Sequence, residues 1–107
     1  MYERAENSLY FLELEMQKKY PSIRVQSVVG DILNSDLLDE TIQQHSPEII
    51  FHVAAYKHVP LMEAYPLEAI RNNIFGSESV GKSAIKGGVK KVVFISTDKA
   101  VSPVGVM

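Results

Sequence analysis

The chain alternates between stretches with helical apolar spacing and short runs rich in β-branched residues. Helices are predicted for three stretches: about 6–19, 35–44 and 66–86. Strands are predicted for three apolar runs: 23–29, 49–53 and 92–95. Strands that alternate with helices indicate right-handed crossovers and a parallel sheet. The predicted fold class is therefore α/β.

Local signals set the limits and faces of these elements. Pro21 ends the first helix, Ser35 is the predicted N-cap of the second, and Gly87-Gly88 closes the third. The buried stripe of the first helix is predicted to be Leu9, Leu12 and Met16, and that of the third is Leu67, Ile70, Ile74 and Val80. The last two strands lack polar alternation, which predicts that both of their faces are covered.

Composition narrows the class of protein. A length of 107 residues suits one small domain, and a net charge of -2 gives no electrostatic reason for a nucleic-acid partner. Without cysteine, disulfides and thiolate metal sites are excluded, which fits a reducing cytoplasm. The histidines lack the partners that a metal site needs. No apolar run in the chain approaches membrane-spanning length.

Small or polar residues follow each predicted strand directly. They form three clusters: Gly30-Asp31, Ala54 to His58, and Ser96 to Lys99. Proteins with a parallel sheet bind their ligands beyond the carboxyl ends of the strands. Three clusters at that edge of the sheet therefore predict a ligand-binding site there. At least one of Asn72 and Asn73, poor helix formers inside the third helix, is expected to tether backbone at this edge.

Each cluster also has a structural interpretation. Asp31 suits a simple turn, Ala54-Ala55 suits tight packing, and Lys57-His58 suits a solvated loop. The run from Ser96 to Lys99 could be a capped turn with an exposed ion pair. Both asparagines could face solvent, and His52 is best interpreted as a core histidine. The functional alternative has Thr97 binding a substrate hydroxyl, and Asp98 and Lys99 acting as acid and base.

Two strings carry a family resemblance: HVAAYKHVPLMEAYPLEAIRNNIFGS and VVFISTDKAVSPVGVM. They resemble the extended short-chain dehydrogenase/reductase superfamily, within it the UDP-N-acetylglucosamine 4,6-dehydratases of capsule and surface-polysaccharide synthesis. The resemblance implies a cytoplasmic, NAD-dependent lyase that acts on a UDP-sugar, and a parent protein that forms a homo-oligomer. Residues 1–107 would be the central part of one NAD-binding, Rossmann-like, doubly wound parallel domain, without its first strand and glycine-rich loop.

The resemblance also implies roles for individual residues. Those expected to bind the cofactor are Glu3, Asp31, Ile32, Ala54, Ala55, Tyr56 and Asn73. Those expected near the sugar are Lys57 and His58. The expected catalytic residues are Thr97, Asp98 and Lys99, with Met107 at the position where many relatives carry a tyrosine. The loop residues Ser102, Val104 and Gly105 depart from the family's usual choices.

By this resemblance the complete enzyme oxidises C4 of the sugar, eliminates water across C5 and C6, and returns hydride to C6. A 4-epimerase shares the fold and cofactor but returns hydride to C4, and Asp98-Lys99 favour dehydration because epimerisation needs no C5 base. A non-catalytic fragment that self-associates through exposed strand edges is the third alternative, since the first strand and glycine-rich loop are expected to be missing.

Overall fold

A computed structural model describes residues 1–97 of the chain. In chain order its elements are β1 (Tyr2–Glu3), α1 (Glu6–Lys19), β2 (Val28–Val29), α2 (Ser35–His45), β3 (Ile49–His52), α3 (Val59–Ala64), α4 (Pro66–Ala69), a π-helical turn (Ile70–Phe75), α5 (Gly76–Lys86) and β4 (Lys91–Phe94). Strands and helices alternate, and the strands pair in parallel. The predicted α/β class with a Rossmann-like, partial sheet is confirmed.

The strands form two separate two-stranded sheets, β1–β2 and β3–β4. In the first, Tyr2 pairs with Val28, and in the second, His52 pairs with Phe94. A cavity of about 140 Å³ lies between β1 and β3, lined by residues of both. The interruption between the two sheets therefore lies between β1 and β3.

The core fills the space between the sheets and the helices α2 and α5. Its four buried residues are Ile32, Leu38, Ile42 and Val80. Side chains from both sheets pack against them, including Tyr2 from β1 and Ile50 from β3. This small shared core, not a common backbone ladder, holds the two sheets together within residues 1–97.

Two local predictions need correction. Asn34, not Ser35, is the N-cap of α2, since its side-chain Oδ1 accepts the Leu37 N–H at 3.2 Å. Asparagine and serine are both good N-caps, so the sequence alone could not separate these neighbours. The strand predicted at 23–29 is hydrogen-bonded as a strand only at Val28–Val29.

The third predicted helix contains a π-helical turn, and the face that it buries differs from the predicted one. Leu67 and Ile74, predicted as core, are 77% and 58% exposed, and Ile70 is also exposed. Val80 is buried as predicted. The buried residues here are instead Ala69, Asn72 and Gly76. Ala69, Asn72, Gly76 and Val80 are three or four residues apart and form one continuous buried stripe, on a different face from Leu67, Ile70 and Ile74.

The strands are not covered on both faces, contrary to the prediction. Phe51 is 67% exposed and Val53 68%, and Phe94 is also exposed. On α1, Leu9 is buried as predicted, whereas Leu12 is exposed. The helix itself has the predicted bounds, and Gly87 caps α5 as predicted.

Candidate functional site

Two cavities flank the segment that follows β3. The smaller, about 190 Å³, is lined by residues from the ends of β1, β2 and β3, among them Glu3, Asp31, Ile32, Ala54, Ala55 and Tyr56. The larger, about 520 Å³, is lined among others by Ala54, Ala55, Tyr56, Lys57, Asn73 and Thr97. Both lie at carboxyl ends of parallel strands, the position at which such sheets bind ligands.

Glu3 and Asp31 place two carboxylates at the smaller cavity. An oxygen of Glu3 accepts the Ala5 N–H at 2.7 Å, at the start of α1. Asp31 Oδ1 accepts the Leu33 N–H at 2.9 Å, in the side-chain turn that the structural interpretation predicted. Since a carboxylate oxygen can accept more than one hydrogen bond, both side chains keep acceptor capacity toward a ligand.

Arg4 closes the rim of the smaller cavity. Its guanidinium donates to the Tyr56 hydroxyl at 2.6 Å and lies 3.4 Å from Asp31 Oδ2. The Tyr56 hydroxyl and the Asp31 carboxylate raise the pKa of Arg4. Arg4 thus joins the end of β1 to the segment after β3, across the interruption between the sheets. The sequence analysis missed Arg4, although a basic residue directly after a strand end was the available signal.

Ile32 lines the smaller cavity, and the two alanines line both cavities. Ile32 is buried in the core, and a methyl group at Gly76 would lie 2.5 Å from its Cδ1. Ala54 is half-buried and packs against the core, whereas Ala55 is exposed. The small side chains therefore leave backbone accessible in both cavities.

The side-chain amide of Asn73 forms hydrogen bonds with both the backbone N–H and the carbonyl of Tyr56. Its Oδ1 accepts the Tyr56 N–H at 2.9 Å, and its Nδ2 donates to the Tyr56 carbonyl at 3.1 Å. The buried Asn72 donates to the same Oδ1 at 3.0 Å. The expectation that one of these asparagines tethers backbone at the sheet edge is confirmed.

His52 is a buried histidine with a side-chain partner. Its Nε2 lies 3.0 Å from the Ser77 hydroxyl, and its ring meets Phe94 edge-on at 5.3 Å between centroids. Burial lowers the pKa of His52, because a charged ring loses its water. The sequence analysis missed Ser77, which gave no signal apart from being a polar residue within a helix.

Lys57, His58 and Thr97 lie on or near the larger cavity. Lys57 and Thr97 are exposed and line it, whereas His58 is the N-cap residue of α3 and is not among the lining residues. Asp98, Lys99 and Met107, the other predicted catalytic residues, lie outside the described residues.

Neither a metal-binding cluster nor a membrane-spanning helix is found among residues 1–97. Within the described part of the chain, no group of three or more histidine or acidic residues is arranged to hold a metal ion. No helix in residues 1–97 is long and apolar enough to cross a membrane.

The sequence matches, over residues 1–107, a family described as polysaccharide biosynthesis protein. The capsular polysaccharide biosynthesis protein CapD of Staphylococcus aureus is 48% identical over 103 residues, which are 95% of this chain and 17% of CapD. A UDP-glucose 4-epimerase of Rickettsia canadensis is 48% identical over 84 residues, which are 78% of this chain and 24% of that protein. The chain thus spans less than a quarter of the length of these relatives.

Solved structures share the fold. Pen from Bacillus thuringiensis superposes with a TM-score of 0.85 at 40% identity, covering 98% of this chain and 32% of that chain. A UDP-glucose-4-epimerase from Stenotrophomonas maltophila, crystallised with NAD and formylated UDP-arabinopyranose, gives a TM-score of 0.83 at 24% identity. That match covers 92% of this chain and 29% of the epimerase.

Proposed function

Because the chain belongs to the polysaccharide biosynthesis protein family, we propose that it is the central part of one NAD-binding, Rossmann-like domain of a nucleotide-sugar 4,6-dehydratase. The main support is the placement of two cavities on opposite sides of Ala54 to Tyr56. The smaller has carboxylates for a ribose and an adenine, and the larger has Lys57 and Thr97 for a sugar nucleotide. The biological role proposed is capsule or surface-polysaccharide synthesis.

The residues of the smaller cavity fit the adenosine half of NAD. Glu3, at the end of β1, can accept hydrogen bonds from the ribose hydroxyls, and Asp31 can accept one from the adenine amino group. Ile32 supplies an apolar wall. Two carboxylates beside a single guanidinium disfavour a further phosphate, which supports NAD over NADP.

The residues of the larger cavity fit a UDP-sugar. Ala54 and Ala55 leave room for a planar nicotinamide and a sugar to approach the backbone. Lys57 provides a cation for a phosphate of the UDP group, and His58 is assigned to the sugar side by family resemblance. Thr97, which lines this cavity, carries a hydroxyl that can hydrogen-bond a sugar hydroxyl.

In the proposed reaction, Thr97 orients the hydroxyl on C4 of the sugar. NAD, when bound, would supply the redox chemistry, that is, removal of hydride from C4 and its return at C6. Lys99 removes the C5 proton, which the adjacent C4 ketone makes acidic, and returns a proton to C5 when hydride adds at C6. Asp98 protonates the departing C6 hydroxyl, which leaves as water, and the proton released from the C4 hydroxyl on oxidation passes to solvent, from which Asp98 is reprotonated. The product is a 4-keto-6-deoxy sugar.

The test is to incubate the full-length protein with UDP-N-acetylglucosamine and analyse the product by mass spectrometry and NMR. We expect a product lighter by one water, with a ketone at C4 and a methyl group at C6. A product of unchanged mass with inverted C4 would reject dehydration. Absence of NAD binding in calorimetry would reject the proposed cofactor.

A 4-epimerase is the second candidate. The Rickettsia canadensis epimerase is as similar to this chain as CapD, at 48% identity, although over fewer residues. An epimerase needs no base for the C5 proton, so solvent deuterium should not enter at C5. Deuterium at C5 of the product therefore favours the dehydratase.

We also propose that the protein assembles as a homo-oligomer. Leu67, Ile70 and Ile74 present an exposed apolar stripe on the α4 to α5 helical segment. Burying such a stripe against a second copy removes apolar surface from water. Sedimentation of the full-length protein should give more than one copy per particle, and Ile74→Glu should shift it toward the monomer.

A further inference from the structure

The side chain of Tyr2, in β1, connects the core to the backbone of Asp31. Its ring packs against the core, and its hydroxyl donates to the Asp31 carbonyl at 2.9 Å. Burial and the neighbouring Asp31 carboxylate raise the pKa of Tyr2 above its ordinary value of 10.0, so the hydroxyl keeps its proton for this bond at neutral pH. Both residues line the smaller cavity, so the bond lies at the wall of that cavity.

Gly30 provides the space that the Tyr2 ring occupies. The φ angle of Gly30 is not positive, so no left-handed conformation requires glycine there. A methyl group on Gly30 would lie 2.5 Å from both Cζ and the hydroxyl oxygen of Tyr2, and 2.8 Å from its Cε2. The ring therefore lies directly against the glycine, and this close approach brings the hydroxyl to the carbonyl of the next residue, Asp31.

Other hydrogen bonds shape the turn around Asp31. Its carbonyl also accepts the Asn34 N–H at 2.9 Å, and its Oδ1 accepts the Leu33 N–H at 2.9 Å. Those two donors belong to the same turn and move with it, whereas Tyr2 is 29 residues away and ties the turn to the core. Oδ2 of Asp31 has a longer contact, 3.4 Å to the exposed Arg4 guanidinium, and is therefore the oxygen with capacity for a ligand.

We propose that Tyr2, packed against Gly30, is a positioning residue that holds Asp31 so that its Oδ2 meets the adenine amino group. Tyr2 acts through the Asp31 peptide and takes no part in the reaction. The inference rests on the proposed function for its ligand, the adenine of NAD. Because a hydrogen bond weakens steeply as its geometry departs from linear, a tilt of the carboxylate weakens recognition of the amino group more than it weakens binding of the rest of the dinucleotide.

The test compares the Kd of the full-length protein for NAD with its Kd for nicotinamide hypoxanthine dinucleotide. That analogue carries an oxygen in place of the adenine amino group and cannot donate to Asp31 from this position. The wild type should bind NAD roughly tenfold more tightly than the analogue. Tyr2→Phe keeps the ring and loses only the hydroxyl, so it should weaken NAD, leave the analogue unchanged and reduce the ratio to roughly threefold or less. Gly30→Ala, which displaces the ring, should reduce the ratio to the same extent.

Three further variants make the comparison specific. Tyr20→Phe removes the hydroxyl of an exposed tyrosine at the end of α1 and should keep the ratio of the wild type. Asp31→Ala removes the acceptor and should abolish the preference for NAD. The double variant Tyr2→Phe/Gly30→Ala should have a ratio no lower than that of either single variant, because both substitutions act on one hydrogen bond.

A wild-type ratio in Tyr2→Phe, or an equal loss of affinity for both dinucleotides, would overturn the positioning role. A wild type without preference for NAD would instead reject the adenine contact of the proposed function. The Leu33 amide proton, followed by NMR without ligand, then still judges the hold of Tyr2 on the turn. Its chemical shift should change in Tyr2→Phe and not in Tyr20→Phe, and an unchanged Leu33 resonance in Tyr2→Phe would overturn that hold.

Discussion

The hydroxyl oxygen of Ser77 lies 3.0 Å from Nε2 of His52, and this contact fixes which ring nitrogen carries the proton. Ser77 has one hydroxyl proton and donates it to the Asn73 carbonyl at 2.7 Å. Its oxygen can therefore only accept from His52. The neutral ring must be the tautomer with hydrogen on Nε2.

The burial of His52 leads to a prediction on the pH dependence of stability. Burial holds the pKa of His52 below its ordinary value of 6.5, so the unfolded chain binds the proton more readily. The contribution of His52 to stability is present above pH 6.5 and is lost as the pH falls through the lowered pKa of the folded state. His52→Gln keeps a donor for Ser77 but cannot titrate, so its unfolding free energy should fall less than that of the wild type between about pH 7 and pH 5.

Urea denaturation at a series of pH values measures this difference. The matched control is His58→Gln, which removes an exposed histidine and should retain the slope of the wild type. Equal slopes for His52→Gln and the wild type would contradict the assignment. Nitrogen-15 shifts of the ring would independently identify the tautomer.

The ion pair between Asp39 and Lys86 joins α2 to α5, at 2.5 Å. Lys86 and a hydrogen bond from Ser83 lower the pKa of Asp39 below its ordinary value of 3.8. The stabilisation is therefore present above pH 3.8 and is lost as the pH falls through the lowered pKa. Lys86→Met should lower the thermal midpoint near neutral pH and flatten its acid dependence.

Lys90→Met is the control for that variant. Lys90 pairs with Glu48 at 2.7 Å, but both side chains are more than 70% exposed, whereas the Asp39 side chain is only 17% exposed. Water screens the exposed pair more strongly, so its loss should change the midpoint less. A larger effect of Lys90→Met than of Lys86→Met would refute this ranking.

Two glycines, one inside α5 and one at its C-cap, should respond in opposite ways to replacement by alanine. A methyl group at Gly81, inside α5, would meet no atom within 4 Å, so Gly81→Ala should stabilise the fold by about 0.5–1 kcal/mol through the unfolded state. At Gly87 the methyl would lie 2.3 Å from Cγ2 of Ile42, a stiff β-branched side chain in the core. Gly87→Ala should therefore destabilise by about 1–3 kcal/mol. Denaturant titration measures both, and the same sign for the two would be incompatible with the geometry.

The proposed chemistry predicts that substitutions of Asp98 and of Lys99 impair different steps of the reaction. The proposed roles require Lys99 to be neutral and Asp98 to be protonated, whereas an adjacent acid and amine favour their charged forms. Bound sugar and cofactor must therefore desolvate the two groups, or the two groups must share one proton. In the full-length enzyme Asp98→Asn should still oxidise C4 but eliminate water roughly a hundredfold more slowly. Lys99→Ala should block exchange of the C5 proton with solvent.

Single-turnover assays that follow the nicotinamide absorbance and deuterium at C5 separate these steps. Lys91→Ala, at the exposed start of β4, is the control for loss of a lysine and should leave both steps unchanged. Unaltered elimination in Asp98→Asn would remove it as the acid, and normal exchange in Lys99→Ala would remove it as the base.

Elements whose signals are local could be predicted from the sequence. Helix α1 was placed at its observed bounds because its apolar spacing is regular and Pro21 follows soon after it. Poor helix propensity indicated that at least one of Asn72 and Asn73 tethers backbone, and Asn73 does so. The partner, Tyr56, could not be named because a periodic pattern contains no information on distances between elements.

Features that depend on packing were missed. The large apolar residues Leu67, Ile70 and Ile74 are exposed, whereas the buried stripe of that helix begins with the smaller or polar residues Ala69, Asn72 and Gly76. A continuous apolar run indicates that both faces of a strand are apolar, but it does not show what packs against each face. Phe51 was therefore predicted to be covered, whereas it is exposed. Arg4 could not be identified from the sequence because its partner, the Tyr56 hydroxyl at 2.6 Å from its guanidinium, is 52 residues away along the chain.

The separation of the two sheets has a mechanical consequence. Strand β1 carries Glu3 and strand β3 leads into Ala54, yet no ladder of hydrogen bonds within residues 1–97 couples the two strands. Sliding or opening between them is resisted by side-chain packing and by the Arg4–Tyr56 contact, which are softer than a pleated ladder. Within residues 1–97, the width of the smaller cavity therefore depends on side-chain contacts, and a ligand that touches both Glu3 and Ala54 would add a further link between the two sheets.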